Sequence, residues 1–282
     1  MSIKLNIISR PLINEVEQFI IKKINKNPPI IYAPITNKEI DKIKKNTIDK
    51  FPDNSDQISK NLINSIRSSY TKNHMINNHQ KLIKNSHKII NDYSNGKSVL
   101  EISGQFDVSP LNILREVFLS KYKTKLTKLI IHPDILSSHD KDQLSIAIEN
   151  DDYALIDGTE VMKESVGFEK QIEHFLNKNS IKYITQEELV KEQIKKYGQP
   201  INTPDFLIKS DLYIGNYKIN WIDAKNFYGS TVPFVKNKIK KQTLKYLNEW
   251  GSGSIIFSLG FNQNLKFTNI LFLGFQDLLN NK

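Results

Sequence analysis

The chain is expected to be an α+β protein, with an all-helical N-terminal region followed by an α/β region built on a mixed sheet. Two observations predict this. From Asn37 to about Ser94 apolar residues recur at helical spacing, as in Ile40, Ile43 and Ile48 and then Leu62, Ile63 and Ile66, with Lys, Asn and Ser between them. The last third instead alternates short β-rich runs with amphipathic segments, the pattern of strands flanked by helices. At 282 residues, 39% hydrophobic, the chain is long enough for two domains. The expected division is a helical region over 1–122, a connecting region over 123–160 and an α/β domain over 161–282.

In chain order, "NGKSVLEISGQFDVSPLNILREVFLSKY" gives one short helix, a turn around Gly104 to Val108 and a second helix from Pro110. Ser109 is placed as N-cap, with Pro110 at the first helical position, where a missing N–H costs nothing. The pair fits a helix-turn-helix unit exposing Ser109, Asn112 and Arg115 to a groove, or equally an ordinary helical hairpin. Residues 123–166 are mixed in texture, with a turn expected at Asp157-Gly158. Beyond them, Phe168, Ile172, Phe175 and Leu176 share one helical face, "IKYIT" is a short strand and "EELVKEQIKKYG" a helix. "DFLI" and "KINWIDAK" are strands around a turn at Gly215-Asn216; a helix ending at Trp250 and the strands "SGSIIFSLGF" and "TNILFLGF" follow.

Composition narrows the function classes. A formal charge of +10 suits a polyanion such as nucleic acid, and equally an acidic protein or membrane surface. With 0 Cys, disulfides and Cys-based zinc sites are excluded, and the six histidines lack zinc-ligand spacing. The N-terminal stretch lacks a signal-peptide pattern and no run reaches the roughly 18 apolar residues of a spanning helix, so a soluble intracellular protein is expected. The tracts "KIKK" (42–45) and "KNKIKK" (236–241) fit nuclear import signals or, more simply, solvated helix faces. Gly251 and Gly253 in "WGSGS" are too few for a phosphate loop and mark a turn before a buried strand.

The chemistry concentrates in "TPDFLIKSDLYIGNYKINWIDAKNF", residues 203–227. Side chains alternate along a strand, so Asp223 and Lys225 share a face, and an antiparallel hairpin turning near Gly215 sets Asp205 beside them. Two facing carboxylates repel, and a hard cation such as Mg²⁺, or Mn²⁺ in its place, is the natural partner. Lys225 would hold the attacking water and offset charge on a phosphodiester. Glu169, early in its helix, either faces the same point or simply complements the helix dipole, with Glu173 as the alternative acid. Trp221 is expected in the core, and Phe227 and Tyr228 as substrate contacts beyond Lys225.

"TPDFLI", "WIDAK", the preceding "GFE" helix and the following "KKQTLKY" helix resemble the PD-(D/E)xK nuclease superfamily. More narrowly, "EISGQFDVSPLNILREVFL", "YGQPINTPDFLI", "INWIDAKNFYG" and "KQTLKYLNEWGSGSIIFSLGF" resemble the codanin-interacting nuclease family. The resemblance implies a PD-(D/E)xK core and a Mg²⁺-dependent, structure-selective DNA endonuclease, with RNA or branched nucleic acid as other substrates. It implies Glu169, Asp205, Asp223, Lys225 and Gln242 as catalytic residues, and Asp205, Asp223, Glu169 and the Ala224 carbonyl as metal ligands. It also implies a codanin-type partner, a link to chromatin assembly, and residence in the nucleus, with the cytoplasm as a second location. The alternative is a catalytically weak or inactive nucleic-acid-binding scaffold that docks the same partner.

Overall fold

A computed structural model describes residues 2–25, 32–151 and 158–280, with the backbone alone for 158–166. In chain order the elements are β1 (Ile3–Leu5), α1 (Asn14–Ile24), α2 (Asn37–Lys50), α3 (Lys60–Lys84), α4 (Ser86–Ser94), α5 (Val99–Phe106), α6 (Pro110–Tyr122), α7 (Leu126–Ile131) and α8 (Ser138–Glu149). There follow α9 (Gly158–Lys178), β2 (Tyr183–Thr185), α10 (Gln186–Tyr197), β3 (Phe206–Ile214), β4 (Tyr217–Lys225), α11 (Pro233–Trp250), β5 (Gly253–Phe257), β6 (Ile270–Gly274) and α12 (Phe275–Leu279). The protein is mixed α and β, as its sequence predicts. The chain divides into two compact units: Met1–Ile20, Lys44–Ile66 and Gly158–Lys282 form a sheet unit, and Ile21–Ile43 with Arg67–Asp157 a helical unit.

The helical unit is built around α6. Leu111, Ile113, Leu114, Val117 and Phe118 are all buried there, against Ile89 and Tyr93 of α4, Val99 and Ile102 of α5 and Leu144 and Ala147 of α8. The stretch read as a connection thus supplies core: Leu126, Leu129 and Leu136 are buried in the same cluster. Its helices are short, so each offers only two or three apolar residues and no sustained period. The turn expected at Asp157-Gly158 lies at the edge of the described residues, where Gly158 opens α9.

Local chemistry sets the α5–α6 junction. Asp107 takes the left-handed conformation, with φ 55°, and ends α5. Ser109 caps α6 by accepting the Asn112 N–H, with Pro110 following as expected. One expectation is corrected: Ser109 is buried, because its hydroxyl also donates to Asp151. The solvent face of α6 is carried instead by Asn112, Arg115 and Leu119, with the Arg115 guanidinium donating to Asn112 Oδ1 at 2.6 Å.

In the sheet unit the strand order is β1-β3-β4-β5-β6, with β2 also paired to β3. The β3–β4 hairpin is antiparallel and turns at Gly215, whose φ of 56° suits glycine. Strands β5 and β6 continue from β4 in parallel, as helix crossovers and long connections require. Strand β4 occupies one edge of β3. The other edge is shared, β2 running antiparallel along Phe206–Ile208 and β1 parallel along Leu212–Ile214.

Alternation along these strands makes two cores. Phe206, Ile208, Ile222, Ile256 and Leu273 face Phe168, Ile172 and Leu176 of α9. Leu207, Trp221, Ile255, Phe257 and Phe272 face Val235, Ile239 and Tyr246 of α11. Helices on both faces explain why β5 and β6 are nearly all apolar, while β3 and β4 carry several polar residues.

Trp221 is fully buried, as expected, and donates its indole N–H to the Gly251 carbonyl at 2.9 Å. Its ring lies over Gly253, where an added Cβ would fall 2.2 Å from the ring. This fixes what "WGSGS" does: Gly251 ends α11 and Gly253 leaves room for the tryptophan. Gly253→Ala is therefore expected to cost about 3 kcal/mol by overpacking, measured as a fall in urea midpoint at constant slope; an unchanged midpoint would contradict this packing.

Candidate active site

Antiparallel pairing of Phe206 with Ile222 puts Asp205, the residue just before β3, at the open end of the hairpin beside the end of β4. The Asp205 carboxylate accepts the Ala224 N–H at 2.6 Å. Asp223 and Lys225 lie two residues apart on β4, on the α11 face with Trp221, and form an ion pair. Asp223 is 1% exposed and Lys225 15%. Gln242, one turn before Tyr246 on α11, donates to Asp223 Oδ1 at 3.2 Å and to the Tyr246 hydroxyl at 2.9 Å. Four of the five residues expected to act together, Asp205, Asp223, Lys225 and Gln242, are thus linked directly or through one neighbour.

Glu169 joins them electrostatically. Burial and the Asp223 charge raise its pKa while Lys225 opposes, so its carboxyl senses both residues. Glu173 is turned to other work, accepting the Tyr183 hydroxyl at 3.0 Å.

The energetics of the cluster are those of carboxylates short of positive charge. Burial pushes Asp205 up to about 7, reinforced by Asp223 and Glu169, with Lys225 and the Ala224 N–H pulling the other way. Burial also raises Asp223, although Lys225 beside it favours the ionised form. One lysine does not balance the desolvation of two acids. Asp223 Oδ2 is buried and faces the Lys225 ammonium, its contact with positive charge.

Among the described residues, no three His, Cys, Asp or Glu side chains form a ready-made metal cage. The donor set nonetheless suits Mg²⁺, which commonly takes one or two carboxylates and keeps waters or substrate oxygens in its remaining positions. Asp205 and Asp223 are the groups that would hold it.

The loop leaving Lys225 is pinned from the N-terminal helix α1. Buried Glu17 accepts Ser230 Oγ at 2.5 Å, the Tyr228 hydroxyl at 3.2 Å and the Asn262 amide. The Tyr228 N–H donates to Ser65 Oγ at 2.9 Å. Tyr228 is therefore core, correcting its reading as a substrate contact; its place just past a strand end hid the partners waiting on α1. Phe227 is half-buried against Phe257, with ring centroids 6.0 Å apart. Tyr246, an aromatic residue that could stack on bases or lie in the core, is buried, and its spacing of four from Gln242 puts both on one helix face.

Residues 136–273 match the model of a family described as a protein of unknown function with a TPD sequence motif. The tripeptide stands here at Thr203–Asp205, at the base of the hairpin. The chain is also 30% identical over 118 residues to an uncharacterized protein, L539, of Acanthamoeba polyphaga mimivirus. That alignment covers 40% of this chain and 41% of the viral protein, so the chain spans less than half of its relative. No solved structure matches the chain.

The raised Asp205 pKa has a signed consequence for stability. The folded value, about 7, exceeds the ordinary 3.8, so the folded state retains the proton longer than the unfolded chain does. Stability is greatest below the unfolded value and declines as pH rises towards about 7. In chelator, urea denaturation should show wild type losing more stability than Asp205→Asn between mildly acidic and mildly alkaline pH. Equal losses in the two proteins would show that Asp205 is not the strained group.

Proposed function

We propose that the sheet unit is a metal-dependent nuclease of the PD-(D/E)xK type, hydrolysing phosphodiester bonds of DNA. The observation that carries this reading is the buried meeting of Asp205, Asp223 and Lys225 at the open end of the hairpin. Supporting it are the approach of Glu169 from α9, the Gln242 contact from α11, and the order of helix, hairpin, helix and parallel strand around the site.

In this reading Asp205 and Asp223 hold Mg²⁺, or Mn²⁺ in its place, with Glu169 and the Ala224 carbonyl as the further ligands the resemblance implies. The bound ion supplies Lewis-acid stabilisation of the charge developing on the phosphodiester oxygens. Lys225, ion-paired with Asp223, orients the attacking water and faces the scissile phosphate. Gln242 fixes the orientation of the Asp223 carboxylate by holding Oδ1 and is itself held by Tyr246. An Asp205 that stays protonated to about pH 7 binds cation poorly in acid, so cleavage at limiting Mg²⁺ should rise with pH through that value.

A second reading, a nucleic-acid-binding scaffold for a codanin-type partner in the nucleus, draws on exposed Ile131 and Ile135 of the helical unit, at 71% and 61%. Cleavage of labelled single-stranded, duplex, flap and four-way-junction DNA, with Mg²⁺, Mn²⁺ or chelator, separates the two. Metal-dependent products should fall by about 10²-fold or more in both Lys225→Ala and Asp205→Ala. Full activity in Lys225→Ala would sink the proposed site, and binding without products in wild type would favour the scaffold.

A further inference from the structure

A recess of about 380 Å³ opens beside the carboxylate cluster, walled by Ile201, Asn202 and Thr203 on one side and by α11 on the other. Its α11 wall carries Lys238, Lys241 and Lys245 around Gln242 and Tyr246. The recess reaches the site through shared residues. Gln242 lines it and donates to Asp223 Oδ1 at 3.2 Å, and the Tyr246 hydroxyl donates to the Thr203 carbonyl at 3.3 Å, two residues before Asp205.

The three lysines stand at i, i+3 and i+7, one above another on a single helix face, and all are exposed. Among the described residues none of them makes an ion pair. Glu249, one turn beyond Lys245, would be its natural helical partner, but its carboxylate accepts Asn202 Nδ2 at 2.6 Å instead. Like charges stacked at this spacing repel, and against the three of them the helix sets one carboxylate, Glu249. A ligand of repeated negative charge would offset them.

The walls also say which part of such a ligand is touched. Tyr246, the aromatic residue of the lining, is 5% exposed with its hydroxyl engaged, so it offers no open face for base stacking. The Gln242 amide hydrogens are committed to Asp223 and Tyr246, so the groups that would meet phosphate oxygens are the three ammonium ions. The volume lies at the small end for ligand sites, scaled to a nucleotide unit rather than a duplex.

We propose that this recess is the track along which the phosphodiester backbone of a single nucleic-acid strand leaves the Asp205/Asp223 cluster, held by Lys238, Lys241 and Lys245 without regard to base sequence. The proposal rests on the nuclease reading for the direction of the strand. The "KNKIKK" tract then has a substrate-facing role, beyond that of a solvated helix face, for Lys238 and Lys241.

The test is equilibrium binding of the full chain to labelled single-stranded DNA, single-stranded RNA and duplex DNA, in chelator, across a salt series. Each phosphate neutralised on a single strand contributes about 0.7 to the slope of log affinity against log salt. The variant K238Q/K241Q/K245Q should therefore lose about 2 from the single-strand slope and less from the duplex slope. A control, K4Q/K218Q, removes charge from the turn end of the hairpin, where Lys4 pairs with Tyr213 and Tyr213 with Lys218. It should leave the slope unchanged, and thermal midpoints of both variants should match wild type. A wild-type slope in the triple variant, an equal loss per charge in the control, or an equal loss on duplex would overturn the track. The DNA and RNA arms show which strand it holds. Chelator uncouples this result from cleavage: an inactive wild type whose slope still responds to the triple variant strikes the nuclease reading alone.

Discussion

Desolvation of Asp205 and Asp223 against a single lysine is the constraint around which the sheet unit is arranged. Carboxylates in water need no explanation, but at the open end of a hairpin, with helices on both faces, each must be compensated by a named group. Ala224 supplies an N–H, Lys225 a charge and Gln242 an amide, and the sum still leaves both acids holding protons more tightly than usual. Such an imbalance is costly to stability and uncommon without a use, since perturbed acids cluster where charge must be received or moved. Trp221 on Gly253 and the Glu17 network appear on either side of it as rigid supports, one beneath β4 and one behind the loop that follows Lys225.

Much of this was legible in the order of residues because the relevant periods are short. A repeat of two along β4 puts Asp223 and Lys225 on one face, and the turn at Gly215 brings the chain back towards them, but it is a register shift in β3 between Leu207 and Leu212 that sets Asp205 level with Asp223. Gln242 entered through resemblance, and its partner Tyr246 follows only from helical spacing once Gln242 is known. What escaped reading depended on contacts between remote segments. Strand β1 has three residues, too few for any alternation to register, and is defined only by the edge of β3 that it meets. Ser109 and Tyr228 each carry a hydroxyl that suits an exposed site, and their burial is decided by Asp151 and Glu17, which lie 42 and 211 positions away.

The charge of the chain also acquires a structure. A net +10 says only that an anion would be attracted. On α11 Lys238, Lys241 and Lys245 gather on the face that flanks Gln242, whereas Lys236 and Lys240 of the same helix lie outside the recess. Where the charges gather, more than their total, distinguishes a surface that is merely solvated from one shaped to meet an anion.

The shared edge of β3 has a consequence for how the protein is made. During synthesis β1 emerges first, yet the strand that it pairs with is more than two hundred residues away and its own edge cannot be satisfied until β3 has left the ribosome. Until then Ile3–Leu5 and Ile7 have no sheet to join, and the second half of β3 stays an open edge wherever β1 has not yet docked on it. Pairing of β1 is therefore deferred until β3 has been made.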